Sequence, residues 1–370
     1  MSIPRLVEIA AGVLMVSVIM SDVFRGVVMP RASARTLRLA PLVADAMLRL
    51  VLLLASRHSP DRRHDLLGAL GPILLVLNAT IWFFSLILGF ALAMHALPHG
   101  FDPPVGLLDA LYASASSFLT LGVSGHEAHG VWARALVIGS ALCGFGLVPL
   151  VVTFLLNIQG ALMQREQLVL RIGERNRKPP TGPAILEQYA RLGRDREAAL
   201  ARFFEDWDRW SAHVLLTHRA YPALAYFRST DHECDWLAAL SAVMDAAALL
   251  SNLEGDTAAG PAILCHRMGS RLAQDLANTF RCRIDEIPDL ERTHFDRVQA
   301  RLRRAGFDNA GSGAAAFEAF NRMRAEHEPA ISGLCRRFGV ERAWILSTPD
   351  DMIFPSGPGH VSMRAGGNQP

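Results

Sequence analysis

An uninterrupted apolar segment from Ala69 to Leu97 constrains the fold of this chain more than any other feature. It contains no Asp, Glu, Lys or Arg, and its strongest polar side chain at mid-depth is Asn78. A helix needs roughly 20 predominantly apolar residues to cross the hydrocarbon core of a bilayer. The segment meets that requirement, and we therefore predict a membrane-spanning helix at 69–97.

Two further apolar segments have membrane-spanning length. One runs from Leu6 to Met29, with an uncharged central part. The other runs from Val131 to Met163 and carries Arg134 as its one charged residue. Together with the segment at 69–97, they predict an all-α membrane protein with three spans.

The first apolar segment has two interpretations. Ala32-Ser33-Ala34 resembles a signal-peptidase site, as in a cleaved secretory leader. The segment is long, however, its n-region carries a single arginine, and arginines flank the triplet. We expect a retained transmembrane helix over residues 1–30. Asp22 and Arg25 lie near its end, where they can pair across three residues or reach the membrane interface.

The residues between the first two spans, 31–68, are rich in arginine. Within them Leu37–Ala55 is apolar but broken by Asp45 and Arg49, which makes it a poor membrane span. An amphipathic helix that lies in the membrane interface fits this pattern better. Its arginines favour contact with anionic lipids.

Loop charges predict the orientation of the chain. Residues 99–130 contain no Lys or Arg, whereas the segment after Met163 is strongly basic. Its basic side chains are those of Arg165, Arg171, Arg175, Arg177 and Lys178. Because short cytoplasmic segments retain basic residues, we expect the N-terminus outside the cell and the C-terminal half in the cytosol.

The C-terminal half has the pattern of a soluble helical protein. Residues 164–184 combine charge with proline and glycine, which predicts a linker. Apolar side chains then recur at three- and four-residue steps, which predicts an α-helical cytosolic domain over 185–346 and a flexible tail over 347–370. The later helices of this domain are expected at 261–283, 289–304, 314–338 and 341–346. The net charge of +2 gives no basis for nucleic-acid binding.

This soluble half offers few residues for chemistry. Phe203, Trp207 and Trp210 can line a ligand pocket, but aromatic side chains at helical spacing are more typical of a core. Asp231–Asp235 is rich in metal-capable side chains without zinc spacing, and its acids suit the first turn of a helix. The sequence shows no catalytic-triad spacing, and its five cysteines form no CxxC pair. We expect no enzymatic activity, cofactor or bound metal, and no cytosolic ligand is identified.

The last span carries a stripe of small and polar residues on one face. At about 100° per residue it consists of Gly139, Cys143, Gly146, Pro149, Thr153, Asn157 and Gly160. Such a stripe is typical either of helix–helix packing or of a helix that lines an aqueous cavity. Thr153 and Asn157 favour the cavity, and Pro149 with the nearby Gly144 and Gly146 predicts a bend or gate.

A short apolar helix pattern begins at Leu107 and ends in the turn Thr120-Leu121-Gly122-Val123-Ser124-Gly125. This order over 6–163 resembles the two-transmembrane, one-pore-loop unit of the potassium channel superfamily. Asp109–Tyr112 resembles the start of its pore helix, and Asp22–Arg31 resembles the extra N-terminal span of some bacterial members. The resemblance implies a homotetramer in the bacterial inner membrane that conducts monovalent cations, chiefly potassium.

The turn departs from the family's filter, which runs Thr-Val/Leu-Gly-Tyr/Phe-Gly-Asp. Thr120, Leu121 and Gly122 match it, and we expect their carbonyls and the Thr120 hydroxyl to form the inner half of a filter. Val123 replaces the bracing aromatic, and Ser124 replaces a glycine whose backbone angle is costly for a residue with a side chain. Gly125 replaces the acid. These changes predict weakened or altered potassium selectivity.

Four functions remain open from the sequence. In the leading one, residues 69–163 form the outer helix, pore loop and inner helix of a cation channel that its cytosolic domain gates or assembles. The second is a non-conducting, membrane-anchored sensor or scaffold on the same frame. A transporter subunit with a degenerate pore loop is third, but such proteins usually carry several loops per chain. An enzyme is least supported.

Overall fold

The computed structural model describes nine parts of the chain. They are 3–28, 39–55, 60–97, 99–176, 180–229, 234–251, 257–283, 290–307 and 313–340. The helix expected at 341–346, the tail at 347–370 and part of the arginine-rich segment lie outside them.

The protein is built from helices. Their bounds are α1 Ile3–Val23, α2 Leu39–Ala55, α3 Pro60–Gly68, α4 Leu70–His95, α5 Leu107–Phe118, α6 Gly130–Asn176, α7 Gly182–Ala190, α8 Arg196–Ala220, α9 Trp236–Leu250, α10 Ala259–Thr279, α11 Arg292–Arg304 and α12 Ala314–Phe338. A π-helical turn, Phe24–Val28, extends α1. Short 3₁₀ helices lie at Gly193–Asp195 and Pro222–Tyr226. Two strands, β1 Phe101–Asp102 and β2 Glu127–Ala128, pair antiparallel.

Three of these helical segments are long and apolar enough to cross a membrane, as the sequence predicts. They are Ile3–Val27, Asp65–His95 and Gly130–Gly173. Helix α6 is continuous through Pro149 and runs on to Asn176, so most of the segment expected to be a linker is helical. The interfacial helix is present as α2, while its position in the membrane interface stays a prediction.

The chain forms two compact units that are interleaved in sequence. The first comprises Met1–Val169, Trp210–His232 and Asn278–Phe280. The second comprises Leu170–Arg209, Glu233–Ala277 and Arg281–Pro370. The sequence places all of 185–346 in one domain, whereas two pieces of that range group with the apolar helices.

Helices α1 and α4 of the first unit run antiparallel in close contact. Gly12 and Gly89 meet at the crossing, where a Cβ on Gly12 would lie 2.5 Å from the Gly89 carbonyl oxygen. Glu8 and His95 pair at 3.0 Å at one end of this contact. At the other end Asp22 accepts a hydrogen bond from Trp82. The sequence suggests that Asp22 pairs with Arg25 or reaches the membrane interface, and it gives no indication of this bond to α4.

Helix α9 forms the core of the second unit. Every residue from Trp236 to Leu250 is buried, as expected for a helix that is apolar on all sides. Asp235 caps it by accepting a hydrogen bond from the Leu237 N–H at 3.0 Å, which confirms a capping role for this acid. Phe203 and Trp207 are buried as well, so their aromatic stripe belongs to the core.

Candidate functional site

Helix α5 descends along α4 from one end of that helix to its middle. Near its start, Ala110 packs in a cluster with Phe90 and Met94. Its last residue, Phe118, makes an edge-to-face contact with Phe83 at 5.6 Å between ring centroids. Since a 12-residue helix is about 18 Å long, α5 reaches roughly halfway along a membrane-length helix.

The chain then returns to the end of α4 from which it came. Strand pairing joins Phe101 to Ala128 and Asp102 to Glu127, so the residues before α5 and after the turn lie side by side. The His129 N–H also donates to the Gly100 carbonyl at 2.8 Å. Helix α5 and the turn therefore form one loop that enters and leaves at the same end of the helical bundle.

Helix α6 holds the tip of this loop through a glycine. A Cβ on Gly144 would overlap the Phe118 carbonyl, so only glycine permits the observed approach of α5 to α6. Nearby, the buried Ser140 hydroxyl donates to the Ser114 carbonyl at 3.2 Å. The Ser114 hydroxyl in turn donates to the Ile87 carbonyl of α4 at 2.7 Å. Buried serine hydroxyls thus join α4, α5 and α6.

The turn at 120–125 contains three left-handed residues. Their φ angles are 57° at Thr120, 71° at Gly122 and 67° at Gly125. The left-handed region costs a residue with a side chain about 1–2 kcal/mol, so Thr120 carries the strain of this turn. Ser124, where the family resemblance leads us to expect such an angle, has none. Replacing glycine by serine at this position is therefore compatible with the turn.

Ser116 of α5 holds the turn at two points. Its carbonyl accepts a hydrogen bond from the Leu121 N–H at 2.8 Å, and its hydroxyl accepts one from the Val123 N–H at 2.9 Å. The Ser116 side chain is buried, so no water competes for these bonds. Sequence inspection misses this residue, because a serine on a mostly apolar helix has no distinctive spacing.

The predicted filter residues lie together on the surface of the single chain. Thr120, Leu121, Gly122 and Val123 are exposed, and Ser124 is half-buried with its hydroxyl donating to the His126 carbonyl at 3.2 Å. The Thr120 hydroxyl donates to the Leu119 carbonyl at 2.7 Å. A hydroxyl oxygen keeps its lone pairs while it donates, so the Thr120 oxygen can still accept a ligand.

The stripe on α6 divides into two parts. Gly139 and Cys143 pack within the chain, where a Cβ on Gly139 would lie 3.5 Å from the Phe90 ring. The remaining members are exposed and make no packed core: Gly146, Pro149, Thr153, Asn157 and Gly160. A different face of α6, which includes Leu147, Val151 and Ile158, is buried. Packing within one chain therefore accounts for the first part of the stripe and not for the second.

A row of buried polar side chains in the second unit is missed by sequence inspection. His266 Nε2 and His327 Nδ1 lie 3.1 Å apart, and His327 Nε2 lies 3.3 Å from Asp245 Oδ1. Burial, together with the neighbouring His327, lowers the pKa of His266 to about 3. Among the described residues, no group of three His, Cys, Asp or Glu side chains is arranged to hold a metal ion.

Comparisons with protein-family models, curated proteins and solved structures find no match to this chain. Within the structure, the strongest candidate site is the loop tip at 120–125 together with the exposed part of the α6 stripe. The two lie on consecutive elements of the first unit.

Proposed function

We propose that this chain is the subunit of a tetrameric cation channel. The loop at Thr120–Ser124 forms the narrow part of the permeation path, and Gly146, Pro149, Thr153 and Asn157 line the wider part. The permeant ions are monovalent cations, chiefly potassium. The protein lies in the bacterial inner membrane with its N-terminus outside, and its soluble helices regulate or assemble the pore.

The return of the chain at the middle of α4 carries this proposal. Irregular backbone at such a depth is tolerated only where protein buries it or where it borders water. The turn is exposed in the single chain, with Leu121 and Val123 each more than half exposed. Copies of the chain arranged around an axis would bury these apolar side chains and gather four sets of backbone carbonyls around a cation.

The exposed part of the α6 stripe supports the same arrangement. Thr153 donates its hydroxyl to the Pro149 carbonyl at 2.9 Å, one turn back along the helix. Asn157 follows one turn further on the same face and is exposed. Polar side chains on a membrane-length helix are favoured next to water or a polar partner. A water-filled cavity below the loop would meet that requirement.

Flux measurements on the full chain test the proposal. The protein would be reconstituted in liposomes and potassium uptake measured, followed by reversal potentials in asymmetric potassium and sodium. Gly122→Ala introduces a side chain at a left-handed residue and is expected to abolish or alter the flux. Gly260→Ala is the matched control, because its Cβ meets no atom within 4 Å and it lies in α10. Absence of flux from wild-type protein would refute conduction.

A non-conducting sensor or scaffold is the second candidate, and the residues of the turn favour it. Val123 and Ser124 replace the residues that brace a potassium filter. A stable tetramer without ion flux, with the same result in Gly122→Ala, would support this function. If the reversal potentials show strict potassium selectivity, the protein conducts, and the prediction of a weakened filter is wrong.

A further inference from the structure

A short segment that follows α8 packs against the C-terminal part of α6, within the first unit. We call it the elbow, and it consists of Tyr221, the 3₁₀ helix Pro222–Tyr226 and Phe227. The Tyr221 ring contacts the Phe154 ring edge-to-face at 5.6 Å between centroids. Leu224 is buried in a cluster with Ile158 and Ala161. The elbow therefore covers the buried face of α6 beside the exposed stripe.

A buried arginine fastens the elbow to α6. Arg165 is 1% exposed, and its guanidinium donates to the Leu224 carbonyl at 3.1 Å and to the Phe227 carbonyl at 2.9 Å. Its Nε donates to Glu166 at 2.9 Å, which balances the charge. Trp210 of α8 donates its indole N–H to the Arg165 carbonyl at 2.8 Å. Arginine can bridge two carbonyls in this way because its donors form a rigid planar fork.

The same segment is also attached to α2 and α4. The Phe227 ring lies on Gly71 at the start of α4, where a Cβ would approach it within 2.6 Å. The Tyr226 hydroxyl donates to Asp45 Oδ1 of α2 at 3.3 Å. Three helices of the first unit thus meet on a segment of only a few residues. A displacement of the elbow would disturb all three at once.

Phe154 is the point at which such a displacement would reach the stripe. It follows Thr153 directly and lies between two rings, those of Tyr221 and Trp82, the latter at 6.3 Å. Consecutive helical residues point about 100° apart, so rotation of the helix that moves Phe154 must also move the exposed Thr153. The elbow therefore contacts the same turn of α6 that carries Thr153 of the stripe.

We infer that the elbow and Arg165 form a latch that sets the conformation of α6 at Phe154. This inference rests on the proposed channel function for its consequence, the control of ion flow. Its structural content, a coupling between the elbow and the exposed face of α6, is measurable without any flux. Couplings between sites in one protein typically change an equilibrium by 5–150-fold.

The test uses the full chain with Asn157→Cys as a reporter on the exposed face of α6. The rate at which a water-soluble thiol reagent modifies this cysteine is followed by mass spectrometry of its own peptide. Because only this peptide is followed, modification of the native cysteines does not affect the measured rate. Potassium flux of the corresponding chains without the reporter is measured in parallel.

Two pairs of variants separate the latch from general damage. Arg165→Gln removes the guanidinium that bonds to the two elbow carbonyls. It is compared with Arg171→Gln, which changes an exposed arginine on the same helix. Tyr221→Leu removes the ring contact to Phe154, and Tyr221→Phe keeps it. We expect Arg165→Gln and Tyr221→Leu to change the modification rate at least fivefold, and both controls to stay within twofold of wild type.

Each outcome bears on the latch. A changed rate in a chain that carries no flux leaves the latch standing and refutes the channel. Unchanged rates in Arg165→Gln and Tyr221→Leu, with flux intact, refute the latch alone. Where Arg165→Gln does not fold, the comparison of Tyr221→Leu with Tyr221→Phe decides: equal rates for these two variants overturn the inference.

Discussion

Trp82 donates its indole N–H to the carboxylate of Asp22 at 2.8 Å, across the contact between α1 and α4. Trp82 is almost fully buried, and a Cβ on Gly26 would lie 3.6 Å from its ring, so the indole is enclosed on two sides by α1 and the turn that extends it. An acidic side chain near the end of an apolar helix thereby has a defined partner. The bond ties the first span to the helix that carries the loop.

Replacing Asp22 by leucine is expected to destabilise the protein by about 1–3 kcal/mol, because the buried Trp82 N–H loses its acceptor. Asp22→Asn keeps an acceptor oxygen and should cost less. Thermal unfolding of the full chain in detergent measures both. In the double variant Asp22→Leu, Trp82→Phe both polar groups are gone, and much of the lost stability should return. If Asp22→Leu unfolds at the wild-type temperature, the bond contributes nothing.

Ser116→Ala is expected to change the ratio of potassium to sodium permeability, because the Val123 N–H loses the hydroxyl that holds the outer part of the turn. Ser116→Thr keeps the hydroxyl and should stay close to wild type. Reversal potentials in liposomes give the ratio. Ser117→Ala is the matched control, since its hydroxyl bonds back to the Ala113 carbonyl within α5 at 2.8 Å. Equal ratios in the two alanine variants would contradict a bracing role for Ser116.

Gly144→Ala is expected to lower the stability of the protein by several kcal/mol or to prevent its folding, because the new Cβ overlaps the Phe118 carbonyl. Overpacking of a buried contact usually costs about 1–3 kcal/mol, and a backbone atom cannot move aside as a side chain does. Gly146→Ala, two residues along the same helix, meets no atom within 4 Å and should fold normally. Yield and thermal unfolding compare the two; similar behaviour would show that α5 and α6 are farther apart.

Acidification should destabilise the second unit through His266. Its folded pKa of about 3 lies below the usual value of 6.5, so the unfolded chain takes up the proton first. The stability that the neutral side chain contributes is complete above pH 6.5 and is lost as the pH falls towards 3, at up to about 1.4 kcal/mol per pH unit. His266 lies next to His327 and, at 3.7 Å, Glu326, and His327 in turn contacts Asp245.

His266→Gln removes this protonation, so its unfolding temperature should fall less steeply with decreasing pH than that of wild type. Thermal unfolding of both proteins between pH 7 and pH 4.5 gives the two slopes. Parallel slopes would mean that His266 is not the group whose protonation opposes folding.

Features encoded by local apolar pattern could be predicted from the sequence. The span expected at 69–97 is α4, Leu70–His95, and the short helix expected from Leu107 is α5. Both follow from runs of side chains that belong to one element. A pattern of this kind indicates the type and the approximate length of an element without any knowledge of the neighbours.

Features that depend on contacts distant in sequence could not be predicted in this way. The charge, proline and glycine of residues 164–184 predict a linker, yet Arg165 is buried against backbone carbonyls 59 and 62 residues further on. Carbonyls are present at every residue and leave no mark in a sequence. The contact between His266 and His327 likewise joins residues 61 positions apart.

The elbow has a consequence for the order in which the protein is made. Synthesis proceeds from the N-terminus, so all three apolar helices leave the ribosome before Leu224 and Phe227 exist. Until then the guanidinium of Arg165 has none of the elbow carbonyls that later surround it. The first unit is completed only when residues 278–280 have followed. A nascent chain arrested at Ala220, after its three spans have left the ribosome, should therefore hold these spans without the latch.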